Sequence, residues 1–178
     1  SSTIHIAMAL TALAGGLALG LRPQVGAALD RLTELERNFL FASALLMLGC
    51  FFTAQNIGYR ATHLVLALPA LTALWRSDTS RLWPFASMAA VGLLWTQWWR
   101  PTLLDALGWL DVKAVFVTGW AIREALWWGL ITILIGLVTA LMMRSTMGQW
   151  LLRRIPGTPA RSAHTSLQTL DTSDLPAV

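Results

Sequence analysis

The chain contains a polar stretch, Gln55-Asn56-Ile57-Gly58-Tyr59-Arg60 followed by Ala61-Thr62-His63, set between two apolar runs. If a helix begins near Asn56, then Asn56, Tyr59, Arg60 and His63 fall at i, i+3, i+4 and i+7 and share one face. A guanidinium presents its N–H groups as a rigid fork that matches phosphate geometry. The chemistry expected of this face is therefore anion binding, with Arg60 on a phosphate and Tyr59, Asn56 and His63 hydrogen-bonding around it. The same residues also fit a plainer role, an interfacial Arg and Tyr that anchor a helix at a membrane surface.

A second polar group comes later, with Asp105, Asp111, Lys113, Arg123 and Glu124. Asp105 and Asp111 are either bases or simply solvated loop acids. Leu103, Leu104, Leu107 and Leu110 suggest a short interfacial helix carrying Trp109. Arg123 and Glu124, at the start of an apolar run, either pair with each other or contribute to the same cavity as Arg60.

Other chemistries lack their residues. There is no Gly-rich loop ending in Gly-Lys-Ser/Thr and no Gly-x-Ser-x-Gly elbow. His5, His63 and His164 lie in different regions, and no His-x-x-x-His or Cys-x-x-Cys pair could start a metal site. No cofactor and no metal is indicated. Cys50 is the only cysteine, so an intrachain disulfide is excluded.

The elements that must position these groups follow from composition. Of the 178 residues, 56% are hydrophobic and only 12% are charged. Soluble domains carry about 25% charged residues, so this balance excludes a disordered chain, a disulfide scaffold and a water-soluble enzyme. The net charge of +4 does not imply nucleic acid, because the cations, all Arg except Lys113, stand singly between apolar runs. An all-α, polytopic transmembrane helix bundle is expected, with membrane lipid as its surroundings.

A span needs about 20 apolar residues. Five candidates emerge, over about 4–21, 39–54, 56–75, 82–99 and 122–143. Gly15, Gly16 and Gly20 allow close helix approach in the first, and Pro69 should kink the third. Between the first two spans, Val25, Leu29, Leu32 and Leu35 recur at helical spacing. That segment is either an amphipathic helix in the interface or an extension of a span. Residues 1–154 form the bundle, and the Pro-, Ser- and Thr-rich tail 155–178 should be disordered.

Charge then sets orientation. One side receives Arg22, Arg31, Arg37, Arg76, Arg81, Arg144, Arg153, Arg154 and Arg161, and the other receives Arg60, Arg100, Lys113 and Arg123. This bias puts the C-terminal tail in the cytoplasm and Arg60 on the outer side. Most of the ten Trp residues fall near the outer ends of the fourth and fifth spans or between them. They read as an interfacial belt or as the lining of an outer cavity for a lipid chain or a sugar face.

The stretch Phe39 to Leu74 resembles a known pattern. An apolar span ends in Gly49-Cys50-Phe51-Phe52, a polar step follows at Gln55-Asn56, then Tyr59-Arg60 heads an apolar run broken by Pro69. This is similar to the C-terminal part of bacterial GT-C-type glycosyltransferases, the mannosyltransferase-like group that uses polyprenyl-phosphate sugars. Related sequences often carry an Asp before Tyr-Arg, where this chain has Gly58. The resemblance implies the bacterial inner membrane, catalysis at its outer face, and a lipid phosphate as the partner of Arg60. It further implies a catalytic acid in a first outer loop, which no segment here provides. The chain would then be a C-terminal half that binds the donor phosphate, partnered by an N-terminal half of the same protein. A divalent metal supplied elsewhere could share the phosphate's charge. The alternatives are a non-catalytic lipid-binding or transport subunit and a membrane scaffold.

Overall fold

The computed structural model describes residues 2–53, 60–77, 80–106 and 112–145. Those residues form six α-helices and one 3-10 turn. In order these are α1 (Ser2–Gly20), α2 (Pro23–Leu29), α3 (Glu34–Thr53), the turn Arg60–His63, α4 (Leu64–Ser77), α5 (Leu82–Ala106) and α6 (Val112–Arg144). Three segments are long and apolar enough to cross a membrane: Thr3–Gly20, Glu34–Thr53 and Phe116–Arg144. Leu64–Ser77 and Leu82–Trp95 are apolar but shorter. This all-helical build is compatible with an integral membrane protein.

The helices α3, α4, α5 and α6 pack in that order as a four-membered ring, with α6 closing against α3. The core fills the ring with Leu40, Ala44, Met47, Leu64, Leu71, Leu74, Leu93, Leu130, Leu134 and Leu137. On α6 the inward stripe is Trp127, Leu130, Leu134 and Leu137, spaced three and four apart as one helical face requires.

Outside the ring, α1 packs parallel to α6 through its glycines. A Cβ added to Gly16 would lie 2.6 Å from Ile135 Cβ, and one on Gly20 would lie 2.5 Å from the Gly136 carbonyl. Gly15 faces the Thr132 methyl more loosely. Thr132 and Thr139 turn their hydroxyls back to Trp128 O and Ile135 O, each at 2.8 Å, inside their own helix. Their hydroxyls are thereby kept within α6, and Thr132 and Thr139 meet α1 through carbon and the Thr132 carbonyl. The small-residue contact expected from the sequence is present, and Ile4, Leu10, Leu13 and Leu17 on the rest of α1 stay exposed.

Several boundaries differ from the sequence expectation. The segment 22–38 is neither one amphipathic helix nor one extension, but both in succession. Val25, Ala28 and Leu29 of α2 and the following Leu32 are buried against the ring, while Leu35 is 66% exposed on the first turn of α3. The break between them is a capping box. Thr33 N–H and Oγ1 donate to Glu36 Oε2 at 2.9 and 2.8 Å, and Glu36 N–H returns to Thr33 Oγ1 at 3.3 Å. Once that box starts α3, α2 must end.

The fourth helix runs on to Ala106, so residues 103–106 continue α5 instead of opening a separate interfacial helix. Asp105 accordingly stands in the last turn of α5, not in a loop. The fifth begins at Val112, so Arg123 and Glu124 lie about three turns inside α6. The third span changes most, because its α-helix starts at Leu64. Within α4 the helix continues through Pro69, which costs the one bond its missing N–H would have made.

One end of the bundle is tied by side chains. Arg144, at the end of α6, donates to Asp30 and lies across Gly26 of α2. Arg31 donates to the Ser77 carbonyl at the end of α4. Residues 30–31 and the ends of α4 and α6 therefore share one end. At the other, Phe51 of α3 packs edge-on to Trp128, with ring centroids 5.1 Å apart, and tilted against Trp127 at 6.3 Å.

Candidate functional site

Ser43 fixes where the polar turn sits. It is a buried residue at the midpoint of α3, and its Oγ donates to the His63 carbonyl at 2.6 Å. A helix of 20 residues is about 30 Å long, so His63 stands about 15 Å from either end of α3. With the 3-10 rise of about 2 Å per residue, the Arg60 backbone lies roughly 6 Å further toward the Thr53 end. The turn packs on α3, α4 and α5. His63 is half-buried and Thr62 is exposed.

This differs from the expected arrangement in two ways. Residues 60–63 form a 3-10 turn instead of the first turn of an α-helix, and in it Arg60 and His63, three apart, eclipse and share one side. The turn also lies at mid-depth of α3, not at the outer end of a span. Asn56, Tyr59 and Asp111 lie outside the described residues, as do the side chain of Arg60 and the tail 155–178.

The 3-10 turn runs directly into α4, so its carbonyls lie one turn before the first N–H groups of that helix. The positive end of the α4 dipole and an Arg at position 60 favour the same charge sign, an anion. In the ring α4 is the shortest helix: its 14 residues reach about 21 Å, against about 30 Å for α3.

Arg123 is not part of that turn. It pairs weakly with Glu124, Nη2 to Oε1 at 3.7 Å, and both side chains are about three-quarters buried. Its Nε is buried with no hydrogen-bond partner, as is Nε1 of Trp128. Arg123 stands four residues before Trp127 on the inward stripe of α6, about 6 Å beyond it. Among the described residues no group of three His, Cys, Asp or Glu could hold a metal.

Sequence reasoning missed Ser43, which looks like any small residue in an apolar run. It also missed the capping box, although Thr33-Glu34-Leu35-Glu36 carries that signature in full. Compared with family models, with curated proteins and with solved structures, the chain matches none.

Proposed function

We propose that the chain is the membrane portion of a glycosyltransferase that takes its sugar from a polyprenyl-phosphate donor, and that the 60–63 turn binds the donor's phosphate. The observation that carries this reading is the Ser43–His63 bond, which holds the 3-10 turn on the midpoint of α3 and the Arg60 backbone about 9 Å short of the Thr53 end. An ionisable residue at such depth is costly unless it lines a pathway or meets a counter-charge. A lipid phosphate supplies the counter-charge, and its isoprenoid chain suits the apolar surroundings.

In the reaction, a carboxylate from elsewhere in the protein takes the proton of an acceptor hydroxyl. The acceptor oxygen attacks the anomeric carbon, and the bond from that carbon to the phosphate oxygen breaks. Polyprenyl phosphate leaves with the electron pair, and its growing negative charge meets Arg60 and the positive end of the α4 dipole. In this reading α4 and α5 cross with the three longer helices, which gives five spans. The Arg144 end faces the cytoplasm of a bacterial inner membrane, and the tail 155–178 follows it there.

The test is binding of undecaprenyl phosphate by the full protein in nanodiscs, compared with undecaprenol. Arg60→Ala should weaken phosphate-lipid binding at least about tenfold and leave undecaprenol unchanged. Equal binding of the phosphate lipid by Arg60→Ala overturns the site. Binding without transfer from a polyprenyl-phosphate sugar would leave a non-catalytic lipid-binding subunit.

A further inference from the structure

The inward stripe of α6 does not end at Trp127. Continued by one turn it reaches Arg123, so a cation tops the column formed by Trp127, Leu130, Leu134 and Leu137. Here α3 meets α6 through Phe51, whose ring touches both Trp127 and Trp128 and so sets the level. Counting along the helices from that contact, Arg123 lies about 12 Å beyond the Arg60 backbone along the bundle axis. A single phosphate cannot span that separation.

The state of this guanidinium is unusual. Its side chain is 27% exposed, yet Nε is fully buried and has no acceptor. Its neighbouring acid, Glu124, is adjacent in sequence and remains 3.7 Å away, longer than a charge-assisted hydrogen bond. Adjacent residues on a helix diverge by about 100°, which explains why that pair stays loose. A buried cationic donor without an acceptor is costly, and an anion bound there would remove the cost.

We propose that Arg123 forms a second anion site where the inward stripe of α6 ends, taking the phosphate group of an amphiphile whose chain lies against the half-buried Phe51. It does not require phosphate at Arg60. In the function proposed above it holds an incoming lipid phosphate ahead of the deeper turn.

The experiment measures dodecyl phosphate binding by the full protein in a neutral detergent, with inorganic phosphate as competitor. Arg123→Gln should weaken binding about tenfold, and Arg123→Lys should recover only part of it, because Lys lacks the fork. Glu124→Gln should tighten binding by roughly two- to threefold. Competition by millimolar inorganic phosphate would identify free phosphate as the ligand, and lack of competition the amphiphile. Unchanged binding in Arg123→Gln, with the protein still folded by its melting profile, overturns the proposal. So does equal loss of thermal stability in Arg123→Gln and Glu124→Gln without a binding change, the mark of a structural pair. Loss of binding in Arg60→Ala but not in Arg123→Gln would sink this site and leave the deeper one standing. The reverse result would do the opposite.

Discussion

The hydroxyl of Ser43 and the carbonyl of His63, 2.6 Å apart, join the midpoint of α3 to the residue that precedes α4. The pairing satisfies two polar groups at once. Ser43 is buried, and the His63 carbonyl lies at the junction of the 3-10 turn and α4. It also sets the depth of the turn, which apolar packing of Leu64 alone would leave free to slide along α3.

Removing the hydroxyl should therefore loosen the turn more than it loosens the bundle. Ser43→Ala is expected to cost about 0.6–1.5 kcal/mol, the range for hydrogen bonds between helices in membranes and in proteins generally. Ser43→Thr keeps the donor and should cost less. Thermal unfolding in detergent, read beside undecaprenyl phosphate binding, checks this. Full binding and full stability in Ser43→Ala would show that other contacts hold the turn.

The glycines divide into two groups with opposite expected outcomes. Gly20→Val places carbon against the Gly136 carbonyl and Thr139, which leave no room for it, so α1 should separate from α6 at a cost of about 1–3 kcal/mol. Gly49→Ala and Gly92→Ala meet nothing within 4 Å and should be neutral or stabilising, by up to about 1 kcal/mol from helix propensity. Disulfide trapping between cysteines placed on α1 and α6, together with melting temperatures, separates the two groups.

The tied end of the bundle should show a graded response. Thr33→Ala removes the cap of α3 and should cost about 1 kcal/mol. The Asp30–Arg144 pair is more exposed, at 60% and 41%, so a double-mutant cycle should return a coupling within about 1 kcal/mol that shrinks in salt. A coupling well above that, unchanged by salt, would mean that the pair is shielded by lipid.

Sidedness can be read with single cysteines after Cys50→Ser. Cysteines at Thr33 and Ser145 should react with a membrane-impermeant thiol reagent from one face of sealed vesicles, and a cysteine at Thr53 from the opposite face. The orientation expected from the Arg bias predicts that the first pair reacts from the cytoplasmic face. Reaction of all three from one face would overturn the alternating arrangement.

The helical build was legible because apolar runs and isolated Arg residues leave few alternatives, and the glycines of α1 announced its contact with α6. The depth of the polar turn was not. Hydropathy reads Asn56 to Trp75 as one run, and nothing in that stretch states that the α-helix waits until Leu64. The residue before that start is held by a hydrogen bond from Ser43, twenty residues away. The division of 22–38 was legible in principle, since Thr33 and Glu36 have capping-box spacing, but the apolar periodicity running past them masked it. Arg123 was marked by type, while its place on the inward stripe follows only once α6 is known to begin at Val112.

The shortness of α4 bears on how the protein enters its membrane. A helix of 14 residues is too short to partition into lipid as an independent unit. If α4 crosses with the longer helices, as proposed above, it must wait for α5, and α3, α4 and α5 enter together with Ser43 already bonded to the turn.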